Sequence, residues 1–167
     1  MTDPVDNVRV IDLVDEQVTL DPVRLQFNDS TLSKYMEEIS LWYDYYSSKA
    51  TKAEELYANA ELTRQSRHDF YFLQAKSEGL TEKSSEAHAR IQPEIVELQK
   101  KENYFKSATK QLKEYLRSLD KAHSMAQNRG YMIRKEMEKL NSDIMWSKNS
   151  GHENAANIDD IIGAMKQ

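Results

Sequence analysis

A long stripe of apolar residues is the feature that most constrains this chain. Between residues 32 and 60, apolar side chains recur in alternating steps of four and three, the heptad pattern of helices packed along a shared seam. No Gly or Pro interrupts residues 23–78, so nothing there favours a turn. The stripe consists of Leu32, Met36, Ile39, Tyr43, Tyr46, Ala50, Ala53, Tyr57 and Ala60. It predicts one long helix, over about 23–78, that buries a single face.

A second stripe of the same kind follows Pro93. Near Gly130 a step of four replaces the expected step of three, an insertion that locally unwinds a coiled coil. Its members are Phe105, Ala108, Leu112, Tyr115, Leu119, Ala122, Ala126, Gly130, Ile133, Met137, Leu140 and Ile144. Helices over about 23–78 and 94–147, joined by a connector at 79–93, predict an all-α fold. Residues 22–148 would form a long antiparallel helical hairpin with coiled-coil-like seams.

The two ends of the chain differ from this hairpin in composition. Residues 1–21 carry six acids and one Arg, and their apolar residues fit no single period, so we predict an acidic flexible leader. Residues 149–167 begin with a polar stretch and end in NIDDIIGAMKQ, whose isoleucines share one face at helical spacing. This pattern predicts a polar linker followed by a short amphipathic C-terminal helix.

The composition argues against several classes of protein. The chain has no Cys, which excludes disulfides, thiolate metal sites and cysteine nucleophiles. No stretch approaches the roughly 20 apolar residues of a membrane span, and no secretory signal is visible, so we expect a soluble, cytoplasmic protein. The common nucleotide-binding, metalloprotease and hydrolase motifs are absent, and the four His are scattered without a second ligand at metal spacing. We therefore expect no catalytic site, metal site or cofactor.

The chain has more apolar positions than one hairpin can cover. Leu116, Tyr131 and Met132 lie outside the two stripes. Self-association would bury them, because large exposed apolar surfaces commonly mark interfaces. The alternative is an elongated monomer with a modest core.

The first stripe changes character at residue 64, where its next positions are Arg64 and Arg67, followed by Tyr71. Guanidinium groups interleaved with aromatic rings suit single-stranded nucleic acid, since cations bind phosphates and rings stack on bases. The candidate DNA-binding residues are Arg64, Arg67, His68, Phe70, Tyr71 and Lys76. Alternatively, the arginines pair with acids of the second helix, because a buried charge needs a partner, and the rings are ordinary core.

Three short motifs occur in order within residues 19–140. They are LDPVRLQF at 20–27, RHDFY at 67–71 and QNRGYMIR at 127–134. Together they resemble the UvsY family of phage recombination mediators. The resemblance implies a non-enzymatic protein that forms a ring-like homo-oligomer and binds single-stranded DNA in the host cell cytoplasm. It further implies that the protein loosens single-strand-binding protein and helps a RecA-like recombinase of the UvsX type to load.

The resemblance also assigns individual residues. Arg67 matches the family's DNA-binding Arg, whereas Gln65 stands where the family has Lys, which leaves Arg64 or Lys76 to supply a second charge. The region around Gly130 matches the helix used for self-assembly, so the expected oligomerisation residues are Ala126, Arg129, Gly130, Ile133, Met137 and Leu140. The alternative function is a coiled-coil scaffold or phage assembly factor that does not bind DNA.

Overall fold

Helices dominate the computed structural model, which describes the backbone of residues 8–164 and the side chains of residues 8–146. Most of the described residues are helical, which confirms the predicted all-α class. Its elements are β1 (Arg9–Asp12), β2 (Gln17–Leu20), a 3-10 helix (Pro22–Leu25), α1 (Leu32–Ser77), α2 (Glu82–Arg90) and α3 (Pro93–Ala164). The chain divides into two compact units, Met1–His123 and Ser124–Gln167.

In the first unit, α1 packs against α3. The rings of Tyr46 and Tyr115 lie 4.5 Å apart, and Arg67 pairs with Glu94 at 3.1 Å. The residue of α1 that is nearer its C-terminus, Arg67, contacts the residue of α3 that is nearer its N-terminus, Glu94. The two helices are therefore antiparallel, as predicted. The core of this unit contains the largest fully buried side chains of α1 and α3, among them Tyr46, Ile39, Leu112 and Leu119.

Most of the first stripe is buried. Six of its nine positions are in the core, namely Leu32, Ile39, Tyr46, Ala50, Ala53 and Ala60. The three exceptions are Met36 and Tyr57, which are half-buried, and Tyr43, which is exposed; near the start of α1, Tyr35 is buried in place of Met36. In a straight α-helix, positions that repeat every 3.5 residues rotate around the helix axis by about 20° per heptad. A strict heptad pattern therefore does not stay on the buried face over all 46 residues of α1.

The flexible leader predicted for residues 1–21 is corrected by the structure, which places an antiparallel β hairpin at residues 9–20; residues 1–7 lie outside the described part. Arg9 pairs with Leu20 and Asp12 with Gln17. Ile11, Leu13, Val18 and Leu20 are buried, and they alternate along the strands with exposed residues. Alternation of buried and exposed residues with a period of two indicates a β-strand. Here each strand has only four residues and lies among many acids, so the alternation was too short to be recognised in the sequence.

Hydrogen bonds and ion pairs dock this hairpin on both long helices. Tyr46 Oη donates to the carbonyl of Thr19, and Tyr115 Oη donates to the carbonyl of Asp21, each at 2.7 Å. Glu16 binds Lys49 at 2.6 Å and Lys52 at 3.1 Å. The Lys49 hydrogen bond, followed by that of Lys52, lowers the pKa of Glu16. The leader is thus a third layer over the helix pair.

The helix boundaries also differ from prediction. The helix predicted over about 23–78 begins only at Leu32. The residues before it, Pro22–Leu25, form the 3-10 helix, which is capped where Asp21 Oδ1 accepts from Val23 N at 2.9 Å. The connector 79–93 contains α2, whose first turn is capped by Thr81. Gly79 ends α1 with φ +87°, a conformation that glycine adopts without strain.

The C-terminal prediction is corrected as well. The structure continues α3 through Ala164 instead of placing a polar linker and a separate helix at 149–167, of which residues 165–167 lie outside the described part. No Pro follows Pro93, and Gly151 is tolerated inside the helix at a cost of about 1 kcal/mol.

The hairpin turn contains a strained residue, Val14, with φ +69°. A β-branched residue is disfavoured there by roughly 1–2 kcal/mol, whereas Gly adopts positive φ freely. Val14 is also largely exposed, so its side chain contributes little burial. We expect Val14→Gly to raise the free energy of unfolding by about 1 kcal/mol in urea titrations. Val10→Gly, at an exposed strand position with ordinary φ, should lower it, and an equal loss in both variants would contradict the strain.

Candidate nucleic-acid interface

Arg64 lies between α1 and α3, where its Nε donates to the Glu102 carboxylate. Glu102 is one of the two buried polar residues in the described chain, with 9% of its side chain exposed, and Arg64 has 21% exposed. A buried carboxylate is tolerated only with a partner of this kind. Arg64 is therefore engaged inside the fold, as the ion-pair alternative of the sequence analysis anticipates.

Arg67 is also paired, but at the surface. Its Nε lies 3.1 Å from Glu94 Oε1, while Tyr71 Oη donates to Glu94 Oε2 at 2.8 Å. Glu94 lies in the first turn of α3, where a negative charge is favoured by the helix dipole. The Glu94 hydrogen bond is the main reason that the pKa of Tyr71 is raised. About half of the Arg67 side chain, 53%, remains exposed.

The remaining candidates fall on different sides of α1. Phe70 is 55% exposed and lies with its ring 5.5 Å from that of Tyr71, close to Arg67. Lys76 is nine residues beyond Arg67, or about two and a half turns, so it points to the opposite side of the helix. The structure therefore groups Arg67, Phe70 and Tyr71 and separates Lys76 from them.

His68 lines a polar cleft between α1, α2 and the start of α3. The cleft has a volume of about 600 Å³, and besides His68 its lining includes the charged groups Arg64, Asp69, Glu86, Arg90 and Lys100. His68 Nε2 lies 3.5 Å from Glu86 Oε2, and Arg90 pairs with the same carboxylate group at 2.8 Å. This cleft is lined by both positive and negative side chains, so it does not present the uniformly positive surface that a phosphate chain prefers.

A second group of a cation and aromatic rings lies near the start of α1 and was not predicted from the sequence. Arg24, from the 3-10 helix, lies over the rings of Trp42 and Tyr46 at 5.7 and 5.8 Å, and Tyr45 adjoins Tyr46. The spacing of Trp42, Tyr45 and Tyr46 by three and four residues places the rings on one side of a helix. The sequence therefore contained a pattern from which this cluster of rings could have been predicted. The partner Arg24 is remote in sequence and is brought there only by the fold.

The expected oligomerisation residues all lie in the second unit, on the part of α3 that follows His123. Ala126 is buried, whereas Gly130 and Ile133 are half-buried and Met137 and Leu140 are 60% and 59% exposed. Arg129 pairs with Glu136 at 3.7 Å. Within the second unit, Ile133, Met137, Leu140 and Ile144 thus form an apolar stripe that is open to solvent over most of its length.

Within residues 8–146, no group of three or more His, Asp or Glu side chains is arranged to hold a metal ion. None of the described helices contains a stretch both long and apolar enough to cross a lipid bilayer. Comparison with known protein families, curated proteins and solved structures finds no match to this chain.

Proposed function

We propose that this protein is a non-enzymatic recombination mediator. It binds single-stranded DNA and helps a RecA-like recombinase of the UvsX type to replace single-strand-binding protein on that DNA. The observation that carries the proposal is the group of exposed Arg67, exposed Phe70 and half-buried Tyr71, within the motif RHDFY that resembles the UvsY family. A cation beside exposed rings is the combination that single strands require.

The Arg67–Glu94 pair is compatible with this role because it is weak. An ion pair between half-exposed side chains contributes about 0–1 kcal/mol, which a phosphate group in a charge-assisted contact can replace. Arg64 differs, since its partner Glu102 is buried and releasing it would leave an unpaired internal charge. In this proposal Arg67 contacts the strand and Arg64 holds α1 against α3.

Self-association is part of the same proposal. The stripe of Ile133, Met137, Leu140 and Ile144 repeats in steps of four and three, the spacing at which a helix packs against another helix. A second copy of the chain carries the identical stripe, so a symmetric contact would bury both. A ring of such copies would offer several Arg67 sites to one strand.

A second candidate function is a helical scaffold that does not bind DNA. The observation in its favour is that Arg64 and Arg67 are both already paired with carboxylates of α3. In that case the RHDFY stretch stabilises the helix pair, and self-association alone is the activity.

Fluorescence anisotropy with a labelled single-stranded oligonucleotide distinguishes the two functions. We expect binding that prefers single strands and weakens as salt rises, because released counterions drive phosphate contacts. Arg67→Ala should weaken binding about tenfold, the loss of one charge-assisted contact of roughly 1.4 kcal/mol or more. Glu94→Gln should tighten it, because the guanidinium of Arg67 then loses its competing charge.

Arg117→Ala is the matched control, since Arg117 is exposed on α3 and its removal changes the net charge equally. Equal effects of Arg67→Ala and Arg117→Ala would mean that only the total charge matters. No binding of the full-length protein at low salt would support the scaffold. Recombinase loading on DNA covered by single-strand-binding protein then tests the mediator step.

A further inference from the structure

A cleft of about 430 Å³ lies where β2, the 3-10 helix and α1 meet. It is lined by Gln17, Thr19, Arg24, Trp42, Tyr45 and Tyr46. Two of these residues come from the hairpin, one from the 3-10 helix and three from α1, so the cleft exists only because the hairpin docks on the helix.

Arg24 is the charged group of this cleft, and no carboxylate in the described chain lies within ion-pair distance of it. Its Nη1 donates to Tyr46 Oη at 3.2 Å, and Tyr46 in turn donates to the Thr19 carbonyl. Neutral groups therefore fix the guanidinium without neutralising it. A guanidinium has five N–H donors, and the remaining ones are free to bind an anion in the cleft.

The rings supply flat surfaces beside that charge. Tyr45 is 42% exposed, and its ring meets the buried ring of Tyr46 edge-on at 5.0 Å. Trp42 is half-buried beneath the Arg24 guanidinium. Lys49 lies over the ring of Tyr45 at 5.1 Å and adds a second cation, although Glu16 is its ion-pair partner. Unlike Arg67, Arg24 needs no release from an acid before it can bind phosphate.

We infer that this cleft is a further contact for single-stranded DNA, in which Arg24 binds a phosphate group and Tyr45 and Trp42 stack on bases. The inference rests on the proposed function and extends its binding surface. Trp42 precedes Arg67, and Tyr45 precedes Phe70, by 25 residues, which is about seven helical turns. Both groups therefore lie on the same side of α1, about 37 Å apart at 1.5 Å per residue.

Trp42 is a built-in reporter for this site. The chain has two Trp, so the full-length variant Trp146→Phe leaves Trp42 as the single indole. Titration with unlabelled oligothymidylate should quench its fluorescence saturably, because a base stacks on the ring. Arg24→Ala in this background should weaken binding about tenfold and lower the slope of log affinity against log salt by about 0.7, the value for one phosphate on a single strand. Arg117→Ala should leave the quenching unchanged.

Arg24→Ala also removes a hydrogen bond to Tyr46, so weaker binding by this variant could result from a folding defect. A second variant is therefore needed. Tyr45→Ala breaks none of the hydrogen bonds that dock the hairpin, and it should weaken binding by about 1–3 kcal/mol of stacking, a factor of about 5 to 150. If oligothymidylate binds but leaves Trp42 fluorescence and both variants unaffected, this inference fails while the proposed function stands. If inorganic phosphate quenches Trp42 as well as the oligonucleotide does, the cleft is an anion site and not a strand contact. Absence of any oligonucleotide binding defeats both proposals.

Discussion

Glu102→Ala is expected to remove about 3–5 kcal/mol from the free energy of unfolding, more than any other single change at the candidate interface. The substitution leaves the guanidinium of Arg64 between α1 and α3 without its buried partner. At roughly 2–4 °C per kcal/mol for a chain of this size, the thermal midpoint should fall by about 10 °C. Circular dichroism melting curves measure the change directly.

Two controls identify the ion pair as the cause. Glu94→Ala breaks the exposed pair with Arg67 and should cost no more than about 1 kcal/mol. The double variant Arg64→Met with Glu102→Leu replaces both charges by apolar groups and should recover most of the loss. If Glu102→Ala melts like the wild type, Arg64 is not held as described and becomes available for DNA.

Leu140→Glu is expected to raise the dissociation constant of the proposed homo-oligomer at least a hundredfold. Leu140 is 59% exposed within its own chain, so the change should alter the stability of the isolated chain by less than about 0.5 kcal/mol. In a packed interface the same carboxylate would be buried without a partner, at a cost of several kcal/mol. Sedimentation velocity should therefore show smaller species at concentrations where the wild type is assembled.

Ser142→Glu is the matched control for this experiment. Ser142 lies two residues beyond Leu140, about 200° around the helix, and is also exposed. It adds the same charge to the opposite side of α3 and should leave the assembly intact. DNA binding should weaken in Leu140→Glu alone, since separate chains no longer hold one strand jointly. A wild-type protein that sediments as a monomer would favour the elongated-monomer alternative.

The sequence by itself determined the two long helices and their antiparallel arrangement. Heptad spacing is a local signal carried by residues such as Ile39 and Leu112, and it survives in the structure because those residues form the core. The absence of Gly and Pro from residues 23–78 likewise predicted an unbroken helix, and residues 32–77 of that stretch form α1. By contrast, the start of the helix, predicted at about residue 23, was wrong, since the chain between Leu25 and Leu32 turns at Asn28 through side-chain hydrogen bonds.

Tertiary structure decided two features: the β hairpin of residues 9–20 and the ion-pair partners of Arg64 and Arg67. Residues 9–20 are too short and too acidic to predict as strands, and they are ordered because Tyr46, Tyr115 and Lys49 hold them against the helices. Arg64 and Arg67 were visible in the sequence, but which acids they face depends on the register between α1 and α3. That register is set by α2 and by packing among residues far apart along the chain. Such non-local contacts produce no periodic pattern in the sequence of either helix, so the sequence did not predict the register.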